Sequence, residues 1–319
     1  MTVVAALLGY AAFLAVATPR LLDATWLHRS PRLALALWHA SAVSTLLAIL
    51  LATVACFADD GMANGWLAAL NGHGGETGLA FAAAPIVVPL ILLGRLGLTL
   101  QRLSTAKRAG SRRHLDLVSL LGRQDRQLGA TVLPTETPAA YCLPGAGRIV
   151  ITDGAIAILD GAELQAVVAH ETAHLTGRHY LLVGWADTLR AAFGVLPLFR
   201  RIRQATGDLV ELVADDRTVR RGAQTRQGGE DPRRVSAETL ASAIAVLGCR
   251  PTPTAGLAAT GGSILTRVER LLSPPAPLPL VPRIGATGAT AALLTLPILL
   301  AFAPAALAAN LIECPPFLG

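Results

Sequence analysis

Four long stretches of this chain carry almost no charge, and they constrain its fold more than anything else in the sequence. Residues 2–18 and 284–309 hold no charged side chain, 33–57 none beyond His39, and 78–100 only Arg95. A helix that crosses a bilayer needs about 20 mainly apolar residues, and each stretch meets or nearly meets that length. The first lacks a basic segment before it and therefore reads as a span rather than a signal peptide. Composition agrees: 53% of residues are hydrophobic and 15% charged, against about 25% charged in soluble domains. An ordinary soluble domain and a disordered chain are excluded. Four cysteines in 319 residues also exclude a disulfide-dense secreted scaffold.

Basic residues set the expected orientation. Arg20, Arg29 and Arg32 lie between the first two spans, QRLSTAKRAGSRRH follows the third, and Arg267, Arg270 and Arg283 precede the fourth. The link between the second and third spans and the tail after the fourth have no Lys or Arg. Positive charge collects on the cytoplasmic side. The reading is a multi-pass protein of the cell membrane: an N-terminal membrane domain (1–100), a cytoplasmic domain (101–283), a C-terminal span (284–309) and an outer tail (310–319), with both termini outside. Topology thus accounts for the net charge of +6, and no direct nucleic-acid binding is expected. Arg95 is expected to snorkel, His39 to pack, and Trp26 and Trp38 to anchor at the interface. Cys56 and Cys314 fall on the outer side, where a disulfide is chemically allowed.

Within 101–283, residues 111–123 read as an amphipathic helix. The runs 130–134, 139–144 and 148–152 have strand character and suggest a small antiparallel sheet. Asp160 followed by Glu163 is a capping box opening a helix that ends near Gly177. Residues 180–198, apolar but carrying Asp187 and Arg190, read as a buried or membrane-lying helix rather than a fifth span. Helices are expected at 199–221 and 235–248, and loops at 221–234, 250–263 and 273–283.

The chemistry lies in His170-Glu171-Thr172-Ala173-His174. Histidines four apart share one helix face and can bind one metal ion, and the glutamate between them can take a proton from water at the metal's open position. With 7 histidines in 319 residues, about 0.004 such matches arise by chance. A catalytic zinc needs a third protein ligand. His179 is one residue short of the metzincin position, which Tyr180 occupies, and no methionine lies downstream for that family's turn. The alternative is the run Glu211 to Asp215, again four apart. Glu211 completes a His-His-Glu set, and Asp215 can hold a ligand imidazole in one tautomer. His179 and Tyr180 remain candidates for an oxyanion or substrate contact. Either RIVIT or AAYCL can offer a free strand edge to an extended substrate, and Cys142 reads as packing.

Three spans, a fourth after the domain, HETAH and ELVAD together resemble the BlaR/MecR family of membrane zinc metallopeptidases. The chain is more distantly similar to HtpX-type and Ste24-type membrane proteases. AAYCLPGAGRIVITDGAIAIL resembles the segment that precedes the motif in these families. The resemblance implies an α-helical integral membrane protein with four transmembrane helices and a cytoplasmic α+β gluzincin-like domain. It implies Zn2+ as cofactor and a protein or peptide substrate, with a winged-helix transcriptional repressor as the expected one. BlaR/MecR proteins carry an outer penicillin-binding sensor domain after the fourth span, whereas here residues 310–319 follow it. The alternatives are an HtpX-type quality-control protease and a zinc-binding receptor without catalysis.

Overall fold

The computed structural model describes residues 2–23, 28–58, 75–224, 236–248 and 261–312. Trp26, Cys249 and Cys314 lie outside them, as does any pairing of Cys314. Three helices come first: α1 (Thr2–Leu22), α2 (Pro31–Ala58) and α3 (Gly75–Leu121). Strands β1 (Arg123–Asp125), β2 (Ala130–Leu133), β3 (Ala140–Leu143) and β4 (Arg148–Thr152) follow. Among the described residues seven helices follow: α4 (Asp153–Ile158), α5 (Gly161–Gly177), α6 (His179–Phe193), α7 (Pro197–Gln224), α8 (Ala237–Gly248), α9 (Gly261–Leu272) and α10 (Leu280–Ile312).

Among the described residues, four helices are long and apolar enough to cross a membrane, over Thr2–Leu22, Pro31–Cys56, Pro85–Leu121 and Leu280–Phe302. The third departs from expectation. The apolar run 78–100 and the amphipathic run 111–123 are one helix of 47 residues. No proline interrupts QRLSTAKRAG, so the polar join stays helical and carries the chain directly to the sheet. Small residues let α1 and α2 approach closely, with Ala11, Ala48 and Ala52 buried around Leu7, as helix packing in lipid favours.

The sheet has the order β1-β2-β4-β3. It is mixed rather than antiparallel: β2 pairs parallel to β4, while β1 and β3 pair antiparallel. RIVIT is therefore an interior strand, and AYCL is the edge. Thr152 locks that edge. Its hydroxyl accepts from Ala139 N and from Ala155 N, the second bond capping α4. Gly154 follows because a Cβ there would stand 2.0 Å from Glu136 O.

The single helix expected at 180–198 breaks at Gly194–Leu196 into a hairpin of α6 and α7. Its apolar faces pack directly on the membrane helices. Leu189, Leu198, Phe199 and Ile202 are fully buried in one core with Trp38 and Ala42 of α2, flanked by Leu92 and Leu96 of α3. Trp38 is therefore not an interface anchor. It is 1% exposed because the hairpin covers it. His39 Nε2 lies 3.2 Å from Thr206 Oγ1. Arg95 Nε donates to Ala192 O near the end of α6, meeting one of the carbonyls a helix C-terminus leaves without an internal partner. A second core joins the inner sheet face to α4, α5 and α8 through Ala130, Ile149, Ile151, Ala155, Leu164, Val167 and Ala243.

Candidate metal centre

Helix α5 begins with the capping box. Asp160 accepts from Glu163 N, and Glu163 accepts from Asp160 N. This pins the register that brings His170 and His174 to one buried face. Opposite them α7 presents Glu211. The three side chains offer ligand atoms within 4.8 Å of one another. His170 Nε2 is 3.1 Å from His174 Nε2 and 3.3 Å from Glu211 Oε2, and His174 Nε2 is 3.4 Å from Glu211 Oε1. Tetrahedral zinc with ligands at about 2.0–2.1 Å requires ligand-to-ligand edges of about 3.3–3.4 Å. The donor set is also the one such zinc sites use, so the residues fit the ion in number, chemistry and spacing.

Each imidazole has a neighbour at its other nitrogen. His170 Nδ1 lies 3.1 Å from Asp215 Oδ1. His174 Nδ1 lies 3.1 Å from His179 Nδ1. The His174–His179 bond fixes the tautomer that leaves His174 Nε2 free for metal, and the Asp215 carboxylate beside His170 Nδ1 favours the same tautomer there. Burial, with the neighbouring charge on His174 adding to it, pulls the His179 imidazole down to about 4, so His179 is neutral and can accept. Its ring rests on Gly177, where a Cβ would stand 2.4 Å from His179 Nε2. The helix ends not through a glycine in the left-handed region but through Arg178, at φ 51°. His179 thus stands behind His174, turned from the ligand cluster, and Tyr180 beside it is 44% exposed.

One residue of the site escaped the sequence reading. Arg267, counted there only as a basic link residue, is 7% exposed. Its Nε donates to Asp215 Oδ2 at 2.9 Å and its Nη2 to Asp215 Oδ1 at 2.8 Å. Its Nη1 lies 2.9 Å from Glu211 Oε2, and Nη2 is 3.3 Å from His170 Nε2. A bidentate fork suits a carboxylate held out of water. Burial alone would raise both carboxyls, but Arg267 and the histidines hold Glu211 well below and Asp215 below the ordinary carboxylate range. Burial opposes charge on His170 as well, yet the adjacent Asp215 and Glu211 carboxylates push it up to about 9. Arg270 is also engaged, with Nη1 2.6 Å from Asp216 Oδ1. Asp216 therefore belongs to a separate pair outside the cluster. The sequence does hold a signal for Arg267: Ile264, Val268 and Leu271 make an apolar stripe on α9, and a lone arginine stands in it.

Glu171 faces the edge strand. Its carboxyl interacts with the Cys142 thiol of β3, and burial raises it above the ordinary range. Burial and the Glu171 carboxylate push the Cys142 thiol up to about 12. Cys142 is thus a protonated thiol beside the motif glutamate, more than the packing residue it reads as in sequence. Tyr141 is tied to the long membrane helix, its hydroxyl 2.6 Å from His114 Nε2 of α3.

Residues 110–210 match the model of peptidase family M48. The segment includes HETAH and stops one residue before Glu211. The chain is similar to a protein named "Protease HtpX homolog" from Aquifex aeolicus (strain VF5), with 38% identity over 68 residues, 20% of this chain and 22% of that one. It is similar to another of the same name from Acidiphilium cryptum (strain JF-5), with 31% identity over 134 residues, 40% of this chain and 46% of that one. The chain spans less than half the length of these curated relatives. No solved structure matches it.

Proposed function

We propose that the protein is a membrane-embedded zinc endopeptidase, starting from its likeness to M48 peptidases and HtpX proteases. The observation that carries the reading is the triangle of His170, His174 and Glu211, whose edges match those of tetrahedral zinc. These residues would hold the ion. When bound, zinc supplies Lewis acidity, lowering the pKa of a water in its open position toward about 7 and polarising a carbonyl.

The chain's own groups do the rest. Burial favours the protonated form of Glu171. That makes its carboxylate a capable base for a water proton, which it then hands to the leaving nitrogen. Asp215 and His179 keep the two imidazoles oriented. Arg267 balances Glu211 and Asp215, two carboxylates that would otherwise repel inside the protein. An extended substrate adds to the free edge of β3, placing its backbone beside Glu171. Tyr180, exposed at the start of α6, is the candidate oxyanion donor; His179, engaged with His174, is the weaker one.

The domain faces the cytoplasm in this proposal, both termini lie outside, and the substrate is a cytoplasmic or membrane-proximal protein. Cleavage of a transcriptional repressor is the regulatory form of the reading, carried by the arrangement of three apolar helices before the domain and one after it. Quality-control proteolysis of the HtpX kind is the alternative. New protein N-termini in cells expressing wild type and Glu171→Gln at equal levels separate them. A repressor among termini made only by wild type supports regulation, and a broad set of membrane proteins supports quality control. Identical termini in the two cell lines would contradict the endopeptidase.

A further inference from the structure

A second polar site lies on the α6–α7 hairpin, near the N-terminal end of the helix that supplies Glu211. A cavity of about 820 Å³ is lined by Asp187 and Arg190 of α6 and by Arg200, Arg201, Arg203 and Gln204 of α7. That volume falls in the usual range for small-ligand sites, about 300–1,000 Å³. The charge is unbalanced. Asp187 is already shared, its Oδ1 accepting from Arg203 Nε and its Oδ2 from Lys107 Nζ, both at 2.5 Å. Arg201 Nη2 lies 3.0 Å from Asp23 Oδ2. Arg190 and Arg200 are exposed, and neither has an ion-pair partner among the described residues.

Position identifies what such a surplus would meet. Asp23 directly follows apolar α1, so the Arg201 contact sets the cavity beside the end of a candidate span. Arg95, within the apolar part of α3, reaches Ala192 one turn from the cavity wall. Between α6 and α7 the chain exposes Val195 at 88% and Leu196 at 37%, with Leu98 of α3 at 55% and Leu21 of α1 at 62%. Apolar side chains bared to this extent beside uncompensated arginines match a boundary between acyl chains and headgroups.

We propose that this cavity binds a phosphate-bearing anion, the headgroup of an anionic phospholipid, with Arg190 and Arg200 as its principal contacts. The proposal rests on the membrane reading of the apolar helices but not on the peptidase reading. Basic recesses between membrane helices take such headgroups, and each basic side chain near an anionic surface contributes about fivefold in binding. Seating a lipid there would bear on α7, the helix that supplies Glu211.

The test uses the full chain purified in detergent, with lipid retention read by native mass spectrometry after adding phosphatidylglycerol or phosphatidylcholine. Wild type is expected to retain phosphatidylglycerol in preference. Arg190→Gln/Arg200→Gln is expected to lose about 25-fold of that retention, Arg190→Lys/Arg200→Lys to recover most of it, and Arg126→Gln, on the sheet side, to change nothing. Equal retention by wild type and the glutamine variant would overturn the site. Displacement of the lipid by inorganic phosphate at similar concentration would overturn the lipid assignment in favour of a soluble phosphate. Flotation with vesicles separates the two levels of the argument. A chain that fails to float even with phosphatidylcholine vesicles refutes the membrane reading. One that floats with them but gains nothing from phosphatidylglycerol refutes this site alone.

Discussion

Helix α7 carries two charged regions built on opposite terms. Toward its middle, half-buried Glu211 and buried Asp215 are tied to Arg267 and His170. Near its N-terminus, Arg200 and Arg201 lie exposed around an open cavity. Out of water an unmatched charge is costly, so the inner set is closed upon itself. At the surface water solvates the surplus, and charge can be left available for a ligand. The same residue types thus signify structure and metal chemistry in one place and recognition in the other.

The sharpest break of this comparison is Arg267→Leu. It removes the guanidinium that bridges Asp215 and Glu211 and leaves only His170 to balance them, and the metal-free protein should lose about 3–5 kcal/mol in a denaturation measurement. Arg267→Lys should recover only part, because a single ammonium cannot span Asp215 and Glu211 as the guanidinium fork does. Next comes Gly177→Ala. Its methyl would displace the His179 ring from behind His174, and zinc affinity measured by chelator competition should fall about 10–100-fold.

The pH dependence of the metal-free protein is a third handle. His170 is raised to about 9 when folded, against about 6.5 unfolded. Its contribution to stability is therefore complete below pH 6.5 and lost as pH rises through 9. Glu211 and Asp215 are lowered, so their contribution holds above their unfolded values near 4 and is lost on acidification. Thermal unfolding of the chelated protein should show the cluster stabilising most between about pH 4.5 and 6.5. Zinc should bind more tightly as pH climbs above that window, with protons released on binding. The smallest effect is expected at the other end of α7: Arg190→Gln and Arg200→Gln should each move stability by no more than about 0.5 kcal/mol.

What could be read from the sequence was local. HETAH and the Asp160–Glu163 capping box depend on spacing within one helix, and Glu211 with Asp215 on the same spacing in another. The apolar stretches needed only their length. What could not be read depended on partners distant in sequence. Arg123-Gln124-Asp125 has no strand-like alternation, and becomes β1 because β2 lies alongside to pair with it. The parallel pairing of β2 with β4 is likewise a property of the assembled sheet. Trp38 resembles an interface anchor until the α6–α7 hairpin covers it. Arg267 looks like a link residue until α9 packs over α7, and Cys142 like filler until the edge strand meets Glu171.

The most direct test pairs zinc content with peptide cleavage in purified Glu171→Gln. About one zinc per chain retained and cleavage abolished is the result the account predicts, since Glu171 moves protons while His170, His174 and Glu211 hold the ion. Cleavage undiminished by the substitution would contradict it.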